Sequence, residues 1–79
     1  MKLRKYERTY NIDFNSIVRS HIEIEVDKGI VVSAQLSIYL NDELMSKEPL
    51  EAYIGSSEND THEHFICRCC LTELIERGD

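Results

Sequence analysis

A chain of 79 residues, 42% hydrophobic and 30% charged, has room for one small domain and a modest core. Its net charge of −6 argues against direct nucleic-acid binding, which needs clustered Lys and Arg, and suits either plain solubility or association with a basic protein surface. No apolar run is long enough to span a membrane, and the Met1–Arg8 start lacks the apolar stretch of a signal peptide, so the expectation is one cytoplasmic domain over residues 1–79 with no membrane contact.

The charge is uneven: residues 1–10 sum to +3, residues 11–40 to −2 and residues 41–79 to −7. Residues 3–14 read as a first strand, with Tyr6, Tyr10, Ile12 and Phe14 at even positions against Glu7, Thr9, Asn11 and Asp13. Asn15-Ser16 then turns into a hairpin that organises the chain, from Ile17 to Leu40. In its first arm Val18, Ile22, Ile24 and Val26 are even, while Arg19, His21, Glu23, Glu25 and Asp27 are odd. In its second arm Ile30, Val32, Ala34, Leu36, Ile38 and Leu40 are even. Such alternation gives one buried face and one solvated face.

Parity selects the turn. A two-residue loop at Lys28-Gly29 would oppose even to odd residues and send the two apolar sets to opposite sides. A three-residue loop, Asp27-Lys28-Gly29, keeps them together and pairs Val26 with Ile30, Ile24 with Val32 and Ile22 with Ala34. The longer loop is therefore expected. On the odd face it pairs Glu25 with Val31, Glu23 with Ser33, His21 with Gln35, Arg19 with Ser37 and Ile17 with Tyr39.

After Asn41-Asp42-Glu43, Pro49 suits the first turn of a short helix, Leu50 to Ile54, stopped by Gly55. The alternation Leu50, Ala52, Ile54 also fits an edge strand, and the helix is the reading taken. Ser56 to Asp60 reads as a linker. A last helix is expected from about Thr61 to Arg77, capped by Asp60 with Glu63 and closed by Gly78. Ile66, Cys67, Cys70, Leu71, Leu74 and Ile75 share one face of it, with His62 on the other. The fold expected is α+β: a three-stranded antiparallel meander with this helix, and the short one, packed on its even face.

Chemistry is sparse. His62, His64, Cys67, Cys69 and Cys70 suggest zinc, but helical spacing scatters them and no second ligand pair exists, so no metal or other cofactor is expected. Cys67 and Cys70 read instead as small core residues. The Cys67-x-x-Cys70 spacing lacks the strand and flanking residues of a thiol redox site, and no phosphate loop or catalytic triad pattern is present, so an enzyme is not expected. The uncovered odd face is the candidate surface: Glu23 and Glu25 near the turn, then Ile17, Arg19, Gln35 and Tyr39, with Tyr and Arg the usual interface anchors. Two kinds of module fit it: an inhibitor of a basic protein, or an antitoxin-like or regulatory module that neutralises such a partner or forms a homodimer through the open sheet.

The start Met1-Lys2-x-x-Lys5-Tyr6, the meander, the Leu50-Glu51-Ala52-Tyr53-Ile54-Gly55 segment and the ending Glu73-Leu74-Ile75-Glu76-Arg77 resemble the small phage-encoded anti-CRISPR inhibitors of type I surveillance complexes. The resemblance implies a non-enzymatic protein that occupies a basic nucleic-acid-binding surface in a host bacterium and blocks target DNA binding. It also implies that Tyr6, matching an aromatic of that family, grips the backbone subunits of the complex.

Overall fold

A computed structural model of the chain describes residues 1–74. It is an antiparallel sheet of five strands, β1 (Lys2–Asp13), β2 (Ser16–Asp27), β3 (Ile30–Leu40), β4 (Glu43–Pro49) and β5 (Thr72–Leu74), in the order β4-β3-β2-β1-β5. A cap of short helical pieces, a 3₁₀ turn (Glu51–Tyr53), α1 (Glu58–Glu63) and a π-helical turn (His64–Arg68), lies between β4 and β5 in the chain. The fold is thus mostly β with a small helical part. The expected meander β1-β2-β3 is present with β2 in its middle, and two further strands flank it.

The central turn corrects the parity argument. Asp27 faces Ile30 and Val26 faces Val31, so Lys28-Gly29 is a two-residue turn, with both residues left-handed at φ 52° and 79°. The parity it breaks is repaired at once by a bulge: Glu25 faces Ser33, Ile24 faces Ala34 and Ile22 faces Leu36. In consequence Val31, an odd residue, is fully buried, while Ile30 and Val32 are exposed. The second two-residue turn, Asn41-Asp42, is also left-handed at both positions and leads into β4.

The core lies on the even face at the Lys28-Gly29 end, where Tyr6, Ile22, Ile24, Val26, Val31 and Ala34 meet Phe65 and Leu71 of the cap. Each aliphatic side chain buried here contributes about 1.5–3 kcal/mol. Tyr53 and Tyr6 stack edge-on against the Phe65 ring, each with centroids 4.9 Å apart. The cap is laid on by backbone bonds to the start of β3: Val31 N donates to Ser56 O, Gly55 N to Val31 O and Glu58 N to Gly29 O. It is short, so the sheet outruns it. Tyr10, Ile12 and Phe14, expected in the core by parity with Tyr6, are exposed at the far end of β1.

The single C-terminal helix does not form. Ser57, not Asp60, caps α1 by accepting from the Asp60 N–H. The coil then widens, Cys69 N donates to His64 O, and Cys70 turns left-handed at φ 55°, which stops it. Leu71 is buried but Cys67 and Cys70 are exposed, against the expected helix face. The remainder of that helix and its stop at Gly78 lie outside the described residues. The short helix expected at Leu50–Ile54 is the 3₁₀ turn.

Candidate functional site

Two places gather chemistry-bearing side chains, one on each face of the sheet. The first is under the cap. Lys2, Arg4 and Tyr6 alternate along β1 and share its even face, while β5 brings Glu73 opposite Tyr6. Arg4 Nε donates to Glu73 Oε1 and Arg4 Nη1 to Glu58 Oε1, both at 2.8 Å, and Lys2 Nζ lies 2.9 Å from the same Glu58 oxygen. Arg4 Nη2 and the Tyr6 hydroxyl approach Nδ1 of His62 at 3.1 and 2.9 Å. A guanidinium can only donate, so Nδ1 is the acceptor and the ring proton sits on Nε2.

The electrostatics follow from this geometry. Burial pulls the Arg4 pKa down, but the hydrogen bonds and charge of Glu73, helped by Glu58, outweigh it and hold it above its ordinary value. Glu58 is held below the usual carboxylate range, chiefly by its hydrogen bond from Lys2. Burial pushes the Tyr6 phenol up to about 12. Two cations and two carboxylates neutralise one another, with His62 satisfied between them. Chemically this is a clasp fastening α1 and β5 onto β1. The sequence hinted at it only in Lys2 and Arg4 sharing the parity of the buried Tyr6, which marks a face that acids must cover.

The second place is the odd face, which none of the helical pieces covers among the described residues. There Arg19 faces Tyr39 directly, and its guanidinium carbon lies 4.5 Å from the ring centroid. Around this pair, Glu23 faces Gln35, Glu25 faces Ser33, and His21 faces Ser37 and Glu7. The expected partners are one pair out of register, because the two-residue turn and the bulge behind it each move β3 by one residue relative to the three-residue loop. The Ile17 side chain is exposed, and its backbone N–H and carbonyl both bond Asn41. Arg19 Nη2 is 3.9 Å from Asp42, and Arg19 Nε is buried without a hydrogen-bond partner.

Of the residues singled out from sequence, Ile17, Arg19, Glu23, Glu25, Gln35 and Tyr39 share this face. Tyr6 does not. It is fully buried against Phe65 on the other side, so the surface contact implied by the resemblance has no residue to make it. The face is mixed in charge: Lys5, Arg19 and Lys47 lie among Glu7, Glu23, Glu25 and Asp27 across neighbouring strands. The excess acid lies instead on the cap, where Glu51, Glu58, Asp60 and Glu63 outnumber Arg68. Among the described residues, no group of three or more His, Cys, Asp or Glu side chains is placed to hold a metal ion, and no helix is long and apolar enough to cross a membrane.

A scan against protein-family models, a search of curated proteins and a search of solved structures each found no match to this chain.

Proposed function

We propose that this chain is a non-enzymatic protein-binding inhibitor that acts in the bacterial cytoplasm by occupying a surface of its partner. The observation that carries this reading is the Arg19–Tyr39 stack at 4.5 Å, on the two central strands near the Asn41-Asp42 turn, in a sheet face that the cap leaves open. An aromatic ring held flat by a guanidinium is already ordered, so docking it forfeits little side-chain entropy. The main ionisable cluster, Arg4 with Glu58, Glu73 and His62, is internally matched and needs no substrate to complete it. The net charge of −6 steers the chain toward a basic partner at long range, while the mixed-charge face makes the contact.

In its specific form the partner is a nucleic-acid-handling complex of the type I CRISPR class, to which the sequence resemblance points, with Tyr6 taking no part. The test adds purified chain to such a complex and measures target-DNA binding. Loss of DNA binding, restored by Tyr39→Ala or Arg19→Glu without a lower melting temperature, supports the inhibitor. Unchanged DNA binding removes the CRISPR form, and a basic toxin recovered from lysate through the same two residues would make the chain a neutralising module.

A further inference from the structure

β5 pairs with Lys5, Tyr6 and Glu7 alone, so the same edge of β1 from Arg8 to Asp13 carries no strand among the described residues. The opposite outer edge, β4, is guarded by Lys47, Glu48 and Pro49. The β1 edge has no proline and is interrupted only by a bulge between Asn11 and Asp13. Its charges stand at its ends, Arg8 and Asp13, and Thr9, Tyr10, Asn11 and Ile12 between them are uncharged. The hairpin tip beyond it holds Phe14 at 107% relative exposure, with Tyr10, Ile12 and Ile17 exposed beside it.

The geometry points to a second copy of this chain as the occupant of that edge, two β1 strands pairing antiparallel about a two-fold axis to join two sheets into one. Three features argue for self-pairing. Charge is the first: residues 8–17 sum to zero, and antiparallel pairing carries Arg8 of each copy toward the Asp13 end of the other. Register is the second. A two-fold axis normal to the sheet sets like parity against like parity. Centred on Asn11, such a pairing leaves Thr72 in place opposite Glu7 and sets Tyr10 against Ile12, where β1 bulges, and it brings the Phe14-Asn15 turn of each copy alongside Arg8 of the other.

The third is shape. A surface notch of about 450 Å³ opens where β5 begins, lined by Glu7, Arg8, Thr9, Cys70, Thr72 and Leu74. The same register brings Phe14 of the second copy alongside this notch, where the Arg8 guanidinium lies 5.5 Å from the Tyr10 ring centroid and donates to Cys69 O. A fully exposed phenylalanine and the recess it requires therefore lie one strand-length apart on the same molecule. This inference goes beyond the open-face reading and does not involve its Arg19–Tyr39 pair.

Sedimentation equilibrium of the full chain, carried up to on the order of a hundred micromolar, reads the outcome. The expected result is a reversible monomer–dimer equilibrium that Ile12→Lys and Phe14→Ser each weaken at least ~10-fold, with unchanged circular dichroism, while Tyr39→Ala leaves it alone. Added salt should strengthen the dimer by screening the two −6 charges. A chain that stays monomeric throughout overturns the proposal. So does a dimer indifferent to both edge substitutions, or one abolished by Tyr39→Ala.

Discussion

Arg4 and Glu73 meet at 2.8 Å from opposite ends of the chain, and that bond holds the edge strand β5 to β1. Arg4 side-chain exposure is 14%, so the ion pair is partly shielded from water and screened less than an ordinary surface pair. Removing the cation strands Glu73 and leaves Glu58 to Lys2 alone.

Arg4→Ala should therefore lower stability by about 1–3 kcal/mol. Arg4→Lys should rescue only part of it, because a point charge cannot address Glu58, Glu73 and His62 together. Urea melts of the two variants give the comparison. A double-mutant cycle with Glu73→Gln should show coupling, and additive losses would mean that the two residues act independently.

Tyr6 predicts an alkaline limit to stability. Burial raises its folded-state pKa from 10.0 to about 12, so the fold favours the neutral phenol. That contribution is present in full below the unfolded value and is lost as pH rises through the folded one. Stability should fall between about pH 10 and 12 in the native chain, and Tyr6→Phe should flatten that decline while costing about 1 kcal/mol at neutral pH for the lost bond to His62. Chemical denaturation at a series of alkaline pH values would show whether the two curves converge.

Ile24 and Leu36 share parity but not depth. Ile24 is fully buried under the cap, whereas Leu36 packs only partly against it. Ile24→Ala should lower stability by about 2–5 kcal/mol and Leu36→Ala by clearly less. Equal losses would place the floor of the core farther along β3 than Ala34.

Lys28 and Cys70 hold left-handed conformations, φ 52° and 55°, with side chains that disfavour them. Lys28→Asn creates an Asn-Gly turn and Cys70→Gly a conventional helix stop, and each should add about 0.5–1 kcal/mol. Thermal melts should move up in both variants. A drop for Cys70→Gly would mean that its thiol makes a packing contact that outweighs the relief of strain.

The inward run of β2 was legible because Val18, Ile22, Ile24 and Val26 alternate with a break only at Ser20, and all four are buried. β3 was legible as a strand but not in register. A two-residue turn with a bulge behind it leaves the same parity beyond the bulge as a longer loop, and only Val31 against Val32 tells them apart. β4 carries no pattern at all: every residue from Glu43 to Pro49 is exposed, so no alternation was imposed on it. The residues of the open face were legible for the converse reason, since whatever alternates against a buried set must point away from it. The Arg4 clasp was not, because its members come from three elements separated by most of the chain.

Alternation in the amino-acid order settled that this protein is an antiparallel sheet around β2 and which of its sides turns inward, because side-chain direction along a strand repeats every two residues. Tertiary packing decided where the helical coil ends and that a strand succeeds it. Residues 72–74 sit in a stretch that reads as helix, and they become a strand because β1 offers them an open edge and Arg4 a counter-charge. Local propensity is worth tenths of a kcal/mol per residue, and backbone pairing together with a shielded ion pair outweighs it.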